Sequence, residues 1–264
     1  MSPGYAASYP MSEANGGTMR SYAIGDIHGH LSLLRQAHRW IEADRARTGD
    51  AEAPIIHVGD LVDRGPDSAG VIDHLLQGQI AGKPWIVLKG NHDRMFAGFL
   101  NDPLWHDPGL RPTATWLHPN LGGAETLASY GIENAADRPL TEVHAEAVAK
   151  IPEAHRAFAA DLPAYHLRGE VLFVHAGVRP TVPLADQTET DMIWIRGDFH
   201  GFRAPHPWLV VHGHTPIERA THYGNRVNID SAAAYGGPLT AIVIEGRDVF
   251  CLGPDGRQPL LPTD

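Results

Sequence analysis

Short apolar runs recur along this chain, and each ends in a glycine-containing polar turn. Residues 21–24 run into Gly25-Asp26, residues 55–58 into Gly59-Asp60, and residues 85–89 into Gly90-Asn91. Further on, residues 171–174 run into His175-Ala176-Gly177, and residues 208–211 into His212-Gly213-His214. Runs this short, rich in β-branched residues and bounded by glycine, predict buried strands. Between the first three runs the apolar period becomes helical. Leu31, Leu34, His38 and Ile41 share one face, with Arg35, Arg39 and Glu42 off it. Pro66 is placed to open a second helix, with Val71, Ile72, Leu75 and Leu76 facing inward, and residues 93–100 predict a third. Such alternation predicts an α/β fold with a largely parallel sheet. Ligands of these sheets bind beyond the carboxyl ends of the strands. Every polar turn named above sits at such an end, so one shared site is expected.

Residues 102–165 break the alternation. Pro103, Pro108, Pro112 and Pro119 precede helical segments at 124–130, 142–150 and 153–160, which predicts a helical insertion beside the site. Three more strands are expected at 226–229, 240–245 and 248–251, the last two joined by a tight turn at Gly246-Arg247. The two groups of strands predict two packed sheets within one domain, 20–264. Residues 1–19, rich in Ser, Gly, Ala and Pro, predict a disordered tail, with Met1, Met11 and Met19 as alternative starts.

Composition narrows the function classes. The 264 residues, 43% hydrophobic, suffice for one full core. A net charge of −10 without a basic stripe argues against a nucleic-acid partner. The single cysteine, Cys251, excludes a disulfide framework and points to a reducing compartment. No apolar run approaches the roughly 20 residues of a membrane span. A cytoplasmic protein without a membrane partner is therefore expected. Of the 17 histidines, those in the turns draw attention. His57, inside an apolar run, reads as a core residue, as do Trp85 and Trp208. His30, His106, His118, His200 and His206 read as solvated.

The turns carry a consistent chemistry. Asp26 and His28, two apart after a strand, can face one metal ion, and carboxylate with imidazole suits Mn, Fe or Zn rather than Ca. Asp60 can bridge two cations through its two oxygens, and Arg64 offers a planar fork to a phosphate. Asn91 can give a neutral carbonyl oxygen to a metal. His92 beside it can protonate a leaving oxygen. His175 can add an imidazole to a second metal. In His212-Gly213-His214 two histidines compete for the same role.

The order GDIHG, GDLVDRG, GNHD, HAG, GHT resembles the PPP-type serine/threonine protein phosphatases of the calcineurin-like metallophosphoesterase superfamily, and their bacterial branch in particular. Gly122-Gly123-Ala124-Glu125-Thr126-Leu127, Trp194-Ile195-Arg196 and Tyr235-Gly236-Gly237 resemble that branch too. Asp93 stands where Glu is commoner, and Asp230-Ser231-Ala232 where Asp-Thr-Gly is usual.

The resemblance implies two mixed β-sheets flanked by helices, an αββα sandwich. It implies two divalent ions, manganese ahead of iron or zinc. Asp26 and His28 would hold the first, Asp60 would bridge, and Asn91, His175 and His214 would hold the second, with His214 favoured over His212. A metal-bridging hydroxide would attack phosphorus directly, with His92 as general acid oriented by Asp63. Arg64 and Arg196 would clamp the phosphate, and Tyr235 would line the pocket. The expected substrate is a phosphorylated protein or small phosphoester. The alternatives are a symmetrical dinucleoside tetraphosphatase, a group that typically lacks a counterpart of Asp63, and a catalytically silent metal-binding scaffold.

Overall fold

Successive residues of the central strands enter different cores. Tyr22 and Ile24 pack into one apolar cluster and Ala23 into another, while Leu172 and Val174 face away from Val171 and Phe173. Strands covered on both faces are continuously apolar rather than alternating, and this is what makes the short runs legible.

The computed structural model describes residues 19–263. The first half alternates as expected: β1 (Arg20–Ile24), α1 (Leu31–Thr48), β2 (Ile55–His57), α2 (Ser68–Ile80), β3 (Trp85–Val87) and α3 (Asn91–Asn101). The insertion contributes α4 (Gly123–Ser129), α5 (Leu140–Lys150) and α6 (Glu153–Ala160). The second half comprises β4 (Tyr165–Arg168), β5 (Val171–Val174), α7 (Glu189–Trp194), α8 (Gly197–Gly201), β6 (Leu209–His212), β7 (Thr221–His222), β8 (Arg226–Asn228), β9 (Ala241–Glu245), β10 (Asp248–Gly253) and β11 (Gly256–Pro259).

Two mixed sheets result, ordered β11-β10-β9-β1-β2-β3 and β4-β5-β6-β8-β7. Strands β1, β2 and β3 run parallel in the first, and β5, β6 and β8 in the second. Ala23, Ile56, Val58, Phe173, Val211, Val227 and Ile242 fill the space between the sheets. One larger core lies between the first sheet and the helices of the first half and insertion. A smaller one packs Met192, Ile193 and Phe199 onto the outside of the second sheet. This is the helix–sheet–sheet–helix architecture expected.

The differences have local causes. Helix α2 begins at Ser68, not at Pro66, because Asp67 takes the cap position and its carboxylate accepts the Gly70 N–H at 2.9 Å. Strands β4, β7 and β11 were not anticipated, since they are edge or near-edge strands with little apolar signal. Helices α7 and α8 are too short to show a period. His57 is fully buried, as expected, and its Nδ1–H donates to the Ile86 carbonyl. His106 and His118 are exposed and His30 partly buried. His206 is buried rather than solvated and His200 partly buried: both pack on Phe199, in the cluster that surrounds buried Arg226. The expected tail lies outside the described residues, except Met19.

The final hairpin is fastened to α1 by charge. Buried Asp44 accepts from Arg257 Nε and NH2 at 2.7 and 2.8 Å, from Arg47 at 2.7 Å and from the Tyr22 hydroxyl at 2.8 Å. Burial alone would raise its pKa, but Arg257, Arg47 and Tyr22 outweigh burial and hold it at about 2. A depressed carboxylate stabilises the fold above its unfolded pKa, about 3.9, and that stability is lost as pH falls towards 2. We expect a loss on the order of 2 kcal/mol between pH 4.5 and 2 from this group. Denaturant unfolding at both pH values should show that much less acid sensitivity in Asp44→Asn than in the native chain.

Candidate metal centre and active site

The carboxyl ends of six strands point at one place. Asp26 follows β1, Asp60 follows β2, and Asn91 follows β3. His175, His214 and Asp230 follow β5, β6 and β8. Backbone bonds lace the turns together: Ile27 N–H and His28 N–H donate to the Asp60 carbonyl at 3.0 and 2.8 Å, and Gly213 N–H donates to that of His175 at 2.8 Å. Buried Asp93 binds two turns at once, accepting from Gly90 N–H and Leu61 N–H at 2.8 and 2.9 Å.

These turns are strained. His28, Asp60, Asp63, Arg64 and His214 all have φ between 44° and 74°. The left-handed region costs a non-glycine residue about 1–2 kcal/mol, and such strain gathers where function over-determines the backbone. Ala232 adopts φ 62° where the resembling sequences carry glycine, so it bears the same kind of cost.

Asp60 is central. One of its oxygens lies 3.4 Å from His28 Nε2 and the other 3.3 Å from His175 Nε2. It is common to two buried clusters, one with His28 and His92 and one with His175 and His214, in which the potential donor atoms lie within 4.8 Å of one another. Asn91 Oδ1 sits 3.0 Å from His175 Nε2 and 2.9 Å from His214 Nδ1. Asp26 Oδ2 accepts the His214 backbone N–H at 2.9 Å. Its other oxygen is buried without a partner, as is His214 Nε2.

Two tautomers follow from backbone partners. His28 Nδ1 lies 2.8 Å from the Val62 carbonyl and His175 Nδ1 lies 2.9 Å from that of Val58, so each Nδ1 carries the proton. Each Nε2 is left with a lone pair directed at Asp60. Lone pairs facing carboxylate and amide oxygens repel unless positive charge lies between them. The His175 imidazole registers that demand. Burial opposes its charge, but Asp60 prevails and pushes it up to about 9. Nearby Asp230 is pushed up to about 6 by burial, helped by Asp60. The donors fit divalent cations that accept imidazole and carboxylate together. Gly213 is required there: a Cβ on it would fall 1.8 Å from Asp26 Oδ1.

The ring of His92 is fixed from one side. Its Nδ1 lies 2.6 Å from Asp63 Oδ2, leaving Nε2 free. Asp63 is fully buried and also accepts from Trp116 Nε1 at 2.9 Å and Thr126 Oγ1 at 2.7 Å. Burial lowers His92 to about 3, with Asp60 opposing it. Arg64 NH1 donates to His28 Nε2 at 2.8 Å. That contact and a cation on the same lone pair exclude each other, so a cation held by His28 would leave the guanidinium fork free. The exposed ring of Tyr235 lies 5.4 Å from Arg64, and exposed Arg196 is near enough for its charge to lower both His92 and His214.

The metal-ligand, acid and phosphate-clamp residues expected from the sequence, and Tyr235, thus lie in or beside one site, and the two histidines at Gly213 part company. His212 turns away, to Arg226 and Phe199, while His214 enters the cluster. Trp116, Thr126, Ser68 and Asp230 were not foreseen as site residues. Thr126 and Asp230 lay in recognisable motifs, but nothing local marked Trp116.

Two mixed sheets whose strand ends gather Asp, Asn and His side chains fit a metallophosphoesterase, and the chain belongs to the calcineurin-like phosphoesterase family, whose profile matches residues 19–244. It is 27% identical over 240 residues to the asymmetrical bis(5'-nucleosyl)-tetraphosphatase PrpE of Anoxybacillus flavithermus, covering 83% of this chain and 88% of that protein. It is 28% identical over 234 residues to serine/threonine-protein phosphatase 1 of Salmonella typhimurium, covering 85% and 91%. The cold-active protein-tyrosine phosphatase of a psychrophilic Shewanella shares the fold, with a TM-score of 0.60 at 16% identity over 93% of this chain and 81% of that one.

Gly213→Ala should displace Asp26 and weaken manganese binding about 10- to 100-fold. Calorimetric titration with manganese, on protein verified as folded by its thermal transition, checks this. Unchanged affinity would remove Asp26 from the ligand set.

Proposed function

We propose that the chain is a phosphomonoesterase acting on phosphoserine and phosphothreonine in proteins, with Asp26, His28, Asp60, Asn91, His175 and His214 holding two divalent ions, manganese foremost. Such ions supply Lewis-acid charge and make bound water acidic near neutral pH. The chain's own residues do the rest. Arg64 and Arg196 supply positive charge for the phosphate oxygens. A bound phosphate dianion near His92 offsets the burial that disfavours imidazolium. Asp63 keeps Nδ1 protonated and directs Nε2 towards the ester, where it gives a proton to the departing oxygen.

The observation that carries this reading is the His92–Asp63 pair at 2.6 Å. A serine or threonine alkoxide is a strong base and departs only if protonated. A nucleotide leaving from a phosphoanhydride is a stable anion at neutral pH and gains little from an acid. A buried, oriented acid is therefore expected of an enzyme that expels alkoxides.

A second reading is hydrolysis of dinucleoside tetraphosphates. Relatives of that name support it, and the exposed Tyr235 ring beside Arg64 offers a face on which a base can stack. No helix among the described residues is long and apolar enough to cross a membrane.

With manganese present, kcat/KM for a phosphoserine peptide should exceed that for diadenosine tetraphosphate by at least about tenfold. The opposite preference would replace the first reading with the second. His92→Asn should lower kcat on the peptide about 10²- to 10⁴-fold with manganese content unchanged. Loss of metal instead would make His92 a ligand rather than an acid.

A further inference from the structure

We propose that Trp116 and Thr126, from the insertion, are positioning residues for the acid. Acting through Asp63, they set the orientation of His92 and so the capacity to expel poor leaving groups. The inference rests on the phosphomonoesterase reading above.

Asp63 has no solvent contact, and its carboxylate is held by three donors. His92 Nδ1 and Trp116 Nε1 share Oδ2, at 2.6 and 2.9 Å, and the Thr126 hydroxyl takes Oδ1 at 2.7 Å. The Asp63 backbone is gripped by the same insertion. Its N–H lies 2.8 Å from Thr126 Oγ1 and 3.1 Å from Ser68 Oγ, and those two oxygens are 3.0 Å apart. A left-handed residue, at φ 74°, is thereby fastened at its main chain and at both carboxylate oxygens.

Trp116 is itself immobilised. It is buried, its ring lies 4.9 Å from Phe99 and 5.7 Å from Phe96, and a Cβ on Gly123 would fall 2.6 Å from it. Phe96 and Phe99 belong to α3, the helix that carries His92 in its first turn. The insertion thus braces both members of the pair against one another. Removing one donor leaves the Asp63 carboxylate free to rotate, and His92 with it. Misplacing a proton donor by a fraction of an ångström costs most when the leaving oxygen is most basic.

The test uses manganese-loaded protein with Trp116→Phe, which deletes the N–H and keeps a ring, and Thr126→Val, which deletes the hydroxyl and keeps the shape. Thr126→Ser restores the hydroxyl. Turnover is read on phenyl phosphate, with a basic leaving group, and on p-nitrophenyl phosphate, with a far less basic one. Manganese content and thermal midpoint accompany each assay. Each deletion should lower kcat on phenyl phosphate about tenfold and on p-nitrophenyl phosphate about twofold, at native manganese content. Thr126→Ser should restore the native ratio of the two. Equal losses on both esters, in either folded variant, would mean a merely structural role and overturn the proposal. A native chain that hydrolyses neither ester would instead defeat the phosphomonoesterase reading itself.

Discussion

A carboxylate buried among lone pairs governs this molecule. Asp60 turns one oxygen to His28 and the other to His175, and carbonyls of Val62 and Val58 fix the tautomers that make both imidazoles acceptors there. So many electron-rich atoms cannot be held together in a low-dielectric interior without compensating positive charge. The elevated His175 expresses that requirement in protons, and the chemistry of the donors directs it to divalent cations.

Holding such a cluster demands a rigid frame. The two sheets provide it by presenting parallel strand ends from both sides, with an apolar layer locked between them. The turns beyond those ends are short, left-handed and tied across the sheets by backbone hydrogen bonds. Their strain is tolerable because apolar residues of the same turns, Ile27, Leu61 and Val62, are anchored in the large core on the helical side. In the same frame Arg64 donates to the His28 lone pair; the proposed function would turn its guanidinium to phosphate once that lone pair is taken.

The insertion changes meaning once the fold is known. From its prolines and helical segments it reads as an insertion beside the site. In space it reaches under the first sheet's turns and supplies two of the three donors to Asp63. Asp63 thereby links the insertion to His92.

Much of this was legible in one dimension. Strands buried on both faces are continuous apolar runs, and metal-binding turns must be short, glycine-containing and rich in Asp, His and Asn, so β1, β2, β3, β5 and β6 and most of the site residues could be read directly. Strands β4, β7 and β11 could not, because edge strands draw their order from a neighbour's backbone rather than from apolar side chains. The residues around Gly213 left two histidines open, and the resemblance favoured His214. Both flank Gly213, and only the packing of Phe199 and Arg226 around one of them leaves the other free to face Asn91. Trp116 shows the limit most plainly: its partner Asp63 lies 53 residues away. Local pattern marked which residues are candidates for the chemistry, since backbone periodicity and turn geometry are local. Tertiary structure decided which of them meet, since hydrogen bonds and burial depend on distances that close only when the sheets and the insertion pack.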